Sequence, residues 1–353
     1  MYQFNSAFTL FLSLIVEAMP FLLLGVLFSG LLQFFVSERR LVALLPKNAF
    51  LGSLAGSCIG FLFPVCECGN IPVARRLLMQ GAPASVAIGF LLAAPVINPI
   101  VIWATWVAFR DQPEVVFLRV GLSLAIATLL GWIFSIQKDL RPFLRPVIAA
   151  AITARQERRT QEPPSTPSWK ILETNKPQTT SPLLGSGMFL LGQSNQPLPT
   201  GDAIALQAAF TDVVKQPLSL RLRLLVEGIA QELRELAGVL IFGSAVAALL
   251  QTFVPREWVL SLGQDPVTSV LAMMLLAALV SICSTVDSFF ALSFSSSFTT
   301  GSLISFLVFG PMIDLKGVGL MLTMFKPRAI VYLFAIAAQL TFISGMVLNF
   351  YFG

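Results

Sequence analysis

The sequence predicts an all-α, polytopic membrane protein built from two related halves. Three observations carry that prediction. First, of 353 residues 56% are hydrophobic and 12% charged, about half the charge of an average soluble domain, which is about 25%. Second, apolar runs recur at 8–36, 49–65, 82–109, 117–136, 225–254, 266–283, 299–325 and 328–352, several long enough to cross a bilayer. Third, the chain resembles itself across its midpoint. The same composition excludes a cytosolic globule, and also a disordered chain, which needs low hydrophobicity and high charge.

The first run, from Phe8 to Val36, lacks a preceding basic region and is too long for a signal-peptide core. It is expected to be a first transmembrane helix with no cleavable signal. Basic residues then mark one side of the membrane: Arg39, Arg40 and Lys47; Arg75 and Arg76; the stretch 137–224; and Lys326 with Arg328. The positive-inside rule places these in the cytoplasm. The segments 110–119 and 255–265 are poor in Lys and Arg and fall on the opposite side.

With Lys47 and Arg75/Arg76 both inside, 49–80 reads as a re-entrant hairpin turning at Pro64 to Pro72. Each half then makes three crossings plus a hairpin, and the halves have opposite orientations. Eight plain crossings fit the hydropathy equally well. Residues 137–224 hold 11 basic and 6 acidic residues and Pro-Ser-Thr-Gln-rich text, which reads as a polar, partly disordered cytoplasmic linker. The apolar piece 182–192 within it is too short to span. The expected domains are therefore 1–136, a linker 137–224, and 225–353.

The internal resemblance follows one order. Leu14-Ile15-Val16-Glu17 matches Leu224-Leu225-Val226-Glu227, and Gly25-Val26-Leu27 matches Gly238-Val239-Leu240. Cys66 aligns with Cys283, Asn70 with Asp287, and Pro95-Val96-Ile97-Asn98 with Pro311-Met312-Ile313-Asp314. Repeated membrane halves with helix breaks in matching places characterise transporters, whose sites lie at those breaks. Proline removes a backbone donor, and freed groups are tolerated in a membrane only inside protein or beside water.

Cys66-Glu67-Cys68-Gly69-Asn70 carries the most chemistry. With Cys283 brought in from the other half, three thiols around one centre suit a trivalent arsenical or a soft metal ion. Against this, a free Cys is also a small buried hydrophobe, and Cys58 is expected to be only that. Asn70, Asn98, Asp287 and Asp314 form a second constellation, since carboxylates inside a membrane segment are costly and functional by default. For Asp314 the bland reading is a helix cap or an ion pair with Lys316. Glu17 and Glu227, at matching places in the first helix of each half, are candidates for proton coupling or simple interfacial carboxylates. Arg75 and Arg76 read as cytoplasmic anchors, and Glu232, Arg234 and Glu235 as a polar start to the fifth run. Gly52, Gly56 and Gly60 read as close helix packing.

The chain has no histidine, so a His-based hydrolase is excluded, and no P-loop, dinucleotide fingerprint or zincin motif is present. No cofactor, enzyme activity or nucleic-acid partner is expected.

Pro64-Val65-Cys66-Glu67-Cys68-Gly69-Asn70-Ile71-Pro72, with Phe90 to Pro99 and Gly310 to Lys316, resembles the bacterial predicted-permease family of YraQ-like and ArsP-like proteins. The resemblance implies a polytopic inner-membrane permease. One branch of that family exports trivalent organoarsenicals, and others are associated with copper or zinc efflux. Cys66, Cys68, Asn70, Pro95, Asn98, Pro99, Cys283, Pro311 and Asp314 match its pattern, whereas the long linker departs from compact members. The expected function is efflux of a small thiophilic solute. The alternative is a non-catalytic membrane subunit of an export complex, with a partner subunit or a second copy beside it. A thiol oxidoreductase is disfavoured, because Cys66 and Cys68 are one residue apart and would make a strained disulfide.

Overall fold

The computed structural model describes residues 2–35, 45–46, 48–63, 66–136, 144–145, 218–253, 265–295 and 297–352. Among them the regular structure is helical. The helices are α1 (Tyr2–Phe35), α2 (Ala49–Ile59, extended by a 3-10 turn Gly60–Leu62), α3 (Glu67–Met79), α4 (Ala84–Ile97), α5 (Pro99–Ala108), α6 (Pro113–Ile136), α7 (Leu218–Phe253), α8 (Pro266–Val280), α9 (Asp287–Leu292), α10 (Thr300–Met312), α11 (Leu315–Met321) and α12 (Pro327–Phe352). Within the described residues each of the eight apolar runs is helical over most of its length. Among the described residues five spans are long and apolar enough to cross a bilayer: 5–31, 84–108, 113–136, 300–321 and 327–351. The protein is an all-α, multi-pass membrane protein.

Most of 137–217, including the apolar piece 182–192, lies outside the described residues. Leu144 and Arg145 are described. Leu144 pairs with Phe325 as an isolated antiparallel bridge, and the Arg145 N–H donates to the Met324 carbonyl at 3.0 Å. α7 starts at Leu218, a little before the apolar run itself.

Two of the spans are each made of two helices, and the sequence says why. Pro95 lies inside α4, and Asn98 separates α4 from α5. A residue before proline is pushed out of the helical region, and Asn98, before Pro99, has ψ 133°. Its side-chain oxygen then accepts the Ile100 N–H at 2.9 Å, capping α5. Pro311 sits correspondingly inside α10, and Asp314 separates α10 from α11, accepting the Gly317 N–H at 2.7 Å.

Small residues let the helices of each half approach closely. A Cβ on Gly56 would clash with the Val86 carbonyl oxygen, one on Gly60 would lie 2.6 Å from Ala94 Cα, and one on Gly131 would clash with Ser53 Oγ. So α2, α4 and α6 form one tight bundle, as the glycine spacing predicted. α8, α10 and α12 form the counterpart, with Gly301 against Gly345. The bundles meet where α10 packs on α4 and α6. α1 lies along α7, and α3 and α11 are held beside that pair and against each other. α3 ends on Gly81 at φ 84°; Gly81 and Ala82 N–H groups return to the Leu78 and Leu77 carbonyls, the usual glycine stop of a helix. Phe8, Trp103, Phe117, Phe242 and Phe350 are exposed, as lipid-facing side chains should be.

Candidate functional site

The breaks bring both halves to one place. Cys66 precedes α3 in an extended conformation (φ −76°, ψ 178°), and its carbonyl accepts the Gly69 and Asn70 N–H groups. The Cys283 carbonyl accepts the Val286 and Asp287 N–H groups in the same way. Side chains two apart on a helix diverge, but the extended backbone at Cys66 lets its thiol contact both Cys68 and Cys283. The sulfurs of Cys66 and Cys283 and a Glu67 carboxylate oxygen all lie within 4.8 Å of one another. All three residues are buried, and Cys68 is fully so.

Charged groups surround the sulfurs. Lys316 Nζ, from α11, lies 3.9 Å from Glu67 Oε1, with Lys316 only 2% exposed. Asp314 faces Lys316 with its second oxygen, Oδ2, unpartnered, while Oδ1 caps α11. Glu17, half-buried on α1, reaches Cys283 and faces Lys316. Glu67 Oε2 and both polar atoms of the fully buried Asn70 also lack protein partners. Buried polar atoms are normally satisfied, so the orphaned oxygens and amide mark this region as able to receive a ligand or water. The chemistry on offer is soft sulfur, hard carboxylate oxygen and one ammonium.

The second break is held by strain and by a salt bridge. Ser281 ends α8 in the left-handed region (φ 45°, ψ 41°), which is uncommon for a non-glycine residue. Its Oγ accepts the Leu315 N–H at 3.0 Å, tying α8 to the start of α11. Asp287 meets Arg119 of α6, whose Nη2 donates to both carboxylate oxygens at 3.0 Å. Arg119 also donates to Thr105 and Ser288, each at 2.7 Å, and to the Ser284 carbonyl at 3.3 Å.

Asn70 stays one turn from Cys66, and Asn98 caps α5. Asp287 is engaged with Arg119, four residues beyond Cys283. Glu227 is exposed on α7, whereas its counterpart Glu17 reaches the thiols. Cys58 is exposed, contrary to the expected burial, because Ser57 and Gly56 take the packed face of α2. Arg75 and Arg76 are packed inside the protein and paired rather than exposed. Both are 6% exposed; Arg76 pairs with buried Glu232 at 3.3 Å and donates to Ser29 at 3.2 Å, and Arg75 pairs with Glu235 at 3.3 Å. Glu232 and Glu235 are thus the partners of α3 rather than a free polar face.

Comparison with known proteins agrees with this architecture. Residues 3–350 match the family described as "Predicted permease", ArsP_1. The chain belongs to this permease family. It is 38% identical over 326 residues to the UPF0718 protein YcgR of Bacillus subtilis, covering 92% of this chain and 90% of that one. It is 32% identical over 321 residues to a Streptococcus mutans protein named "Putative two-component membrane permease complex subunit", covering 91% and 87%. No solved structure matches. The permease therefore has a multi-pass membrane architecture and a buried sulfur and carboxylate cluster at its helix breaks.

Sequence reasoning passed over Glu67, Lys316 and Arg119 as site residues. A signal existed for each. Glu67 lies between the two cysteines, Lys316 lies two residues after the second-half break, and Arg119 is the one charged residue inside the apolar run 117–136.

Proposed function

We propose that this permease exports a small thiophilic solute, a trivalent organoarsenical or a soft metal species, through the cluster between its two halves. The observation that carries this reading is the approach of Cys66, Glu67 and Cys283 within 4.8 Å, across two helix breaks and both halves. Soft sulfur ligands select soft cargo. Cys66, Cys68 and Cys283 are its ligands, and Asn70, Asn98 and Asp314 line the path. Asp287, fixed by Arg119, holds the second break in place. Glu17 carries the proton that couples transport. The matching order of elements in 2–136 and 218–352 supports a duplicated, inverted pair of repeats. The setting is a bacterial inner membrane, with 137–224 as a cytoplasmic linker.

The test is export from cells and binding to purified protein, with the Cys66→Ser/Cys68→Ser variant inserted normally in the membrane. Loss of both export and binding is expected. Unchanged transport would remove the thiol mechanism.

A second reading is favoured by the printed name of the Streptococcus mutans relative: a subunit of a two-component permease. A partner co-purifying from native membranes, and required for transport, would support it.

A further inference from the structure

We propose that Lys316 decides which thiophiles the site accepts, by placing a buried ammonium beside the Glu67 carboxylate that a cation would use. The inference rests on the thiol cluster being the cargo site. A soft dication bound by thiolates needs further donors to complete four-coordination. The nearest oxygen donor is Glu67, within 4.8 Å of both Cys66 and Cys283. Its Oε1 already faces the Lys316 ammonium at 3.9 Å, with both side chains buried. Lys316 also faces Cys68, Asp314 and Cys283. A dication that takes the unpartnered Glu67 Oε2 still sits beside this ammonium. Like-charge repulsion over a few ångströms in a protein interior is worth on the order of ten- to a hundredfold in affinity.

A trivalent arsenical meets neither obstacle, because sulfur alone completes it. Phenylarsine oxide and two thiols give a dithioarsine and one water. Two S–H bonds and the As=O bond break, two As–S bonds form, and both protons leave with the oxygen. No carboxylate is needed and no charge is added. Lys316 is accordingly a specificity-determining residue, favouring species that sulfur satisfies over dications that also need oxygen. The unpartnered Glu67 Oε2 and Asp314 Oδ2 are oxygen donors that a cation reaches without like-charge repulsion once the ammonium is gone.

The experiment uses the purified full-length protein in detergent, with Cd²⁺ binding measured by equilibrium dialysis and phenylarsine oxide binding by intact-mass shift. In Lys316→Met, Cd²⁺ binds at least about tenfold more tightly than in wild type, while phenylarsine oxide stays within about twofold. Lys316→Arg keeps the wild-type preference. Unchanged or weaker Cd²⁺ binding in Lys316→Met, or a parallel change for both probes, overturns the proposal. Should Lys316→Met fail to fold, Lys316→Gln decides. It too removes the ammonium and should bind Cd²⁺ at least about tenfold more tightly, with phenylarsine oxide within about twofold; an unchanged Cd²⁺ affinity overturns the proposal. If wild type binds neither probe, the cargo-site reading fails as well, an outcome distinct from binding without a shift in preference.

Discussion

Cys66 and Cys283 hold the same backbone role in opposite halves: each carbonyl accepts the N–H groups three and four residues on, and their sulfurs lie within 4.8 Å. The thiol site therefore exists only when both halves are folded and docked. Cys66→Ser and Cys283→Ser should each abolish the thermal stabilisation that a thiophilic ligand gives by mass action, whereas Cys58→Ser should leave it intact. Differential scanning fluorimetry on the three variants checks this.

Arg119 and Asp287 form a buried pair across the halves. Removing one partner leaves an uncompensated buried charge. Arg119→Met alone should destabilise the protein by about 3–5 kcal/mol. The double variant Arg119→Met/Asp287→Leu should recover much of that loss, by non-additivity. Unfolding of Arg119→Met, Asp287→Leu and the double variant in mixed micelles measures it; additive losses would contradict a direct pair.

Gly56 and Gly131 sit where a Cβ would meet Val86 and Ser53, whereas Gly121 and Gly238 have nothing within 4 Å. Gly56→Ala and Gly131→Ala should each cost about 1–3 kcal/mol through overpacking. Gly121→Ala and Gly238→Ala should be neutral or gain up to about 1 kcal/mol from helix propensity. Melting temperatures of the four variants separate packing glycines from permissive ones.

Deletion of 160–200 should leave membrane insertion and ligand stabilisation unchanged if that stretch only connects the halves. A monodisperse elution profile and an unshifted melting temperature are the expected results. Aggregation would assign the stretch a part in folding.

Much of this architecture was legible because apolar length and proline position act locally. Every apolar run became a helix, and Pro95-x-x-Asn98 and Pro311-x-x-Asp314 became breaks because a proline inside a helix and a capping side chain after it end the helix wherever they stand. The pairing of Cys66 with Cys283 was legible through the internal resemblance. What was not legible depends on which helix faces which. Arg75 and Arg76 look like anchors until α7 supplies Glu232 and Glu235, and Lys316 looks like a local partner of Asp314 until α3 places Glu67 opposite it. Cys58 was misplaced for a simpler reason, since periodicity alone cannot tell a bundle-facing residue from a lipid-facing one in a helix apolar all round.

Ser281 shows how narrow the chemical tolerance of such a junction is. Its left-handed backbone suits glycine, yet glycine would delete the acceptor that tethers the Leu315 amide, and with it the anchorage of the helix that presents Lys316. Alanine would keep the torsional cost and lose the acceptor too. Among these small side chains only a hydroxyl meets the second demand, so drift at position 281 should run to residues able to accept that proton before it runs to those most at ease with the torsion.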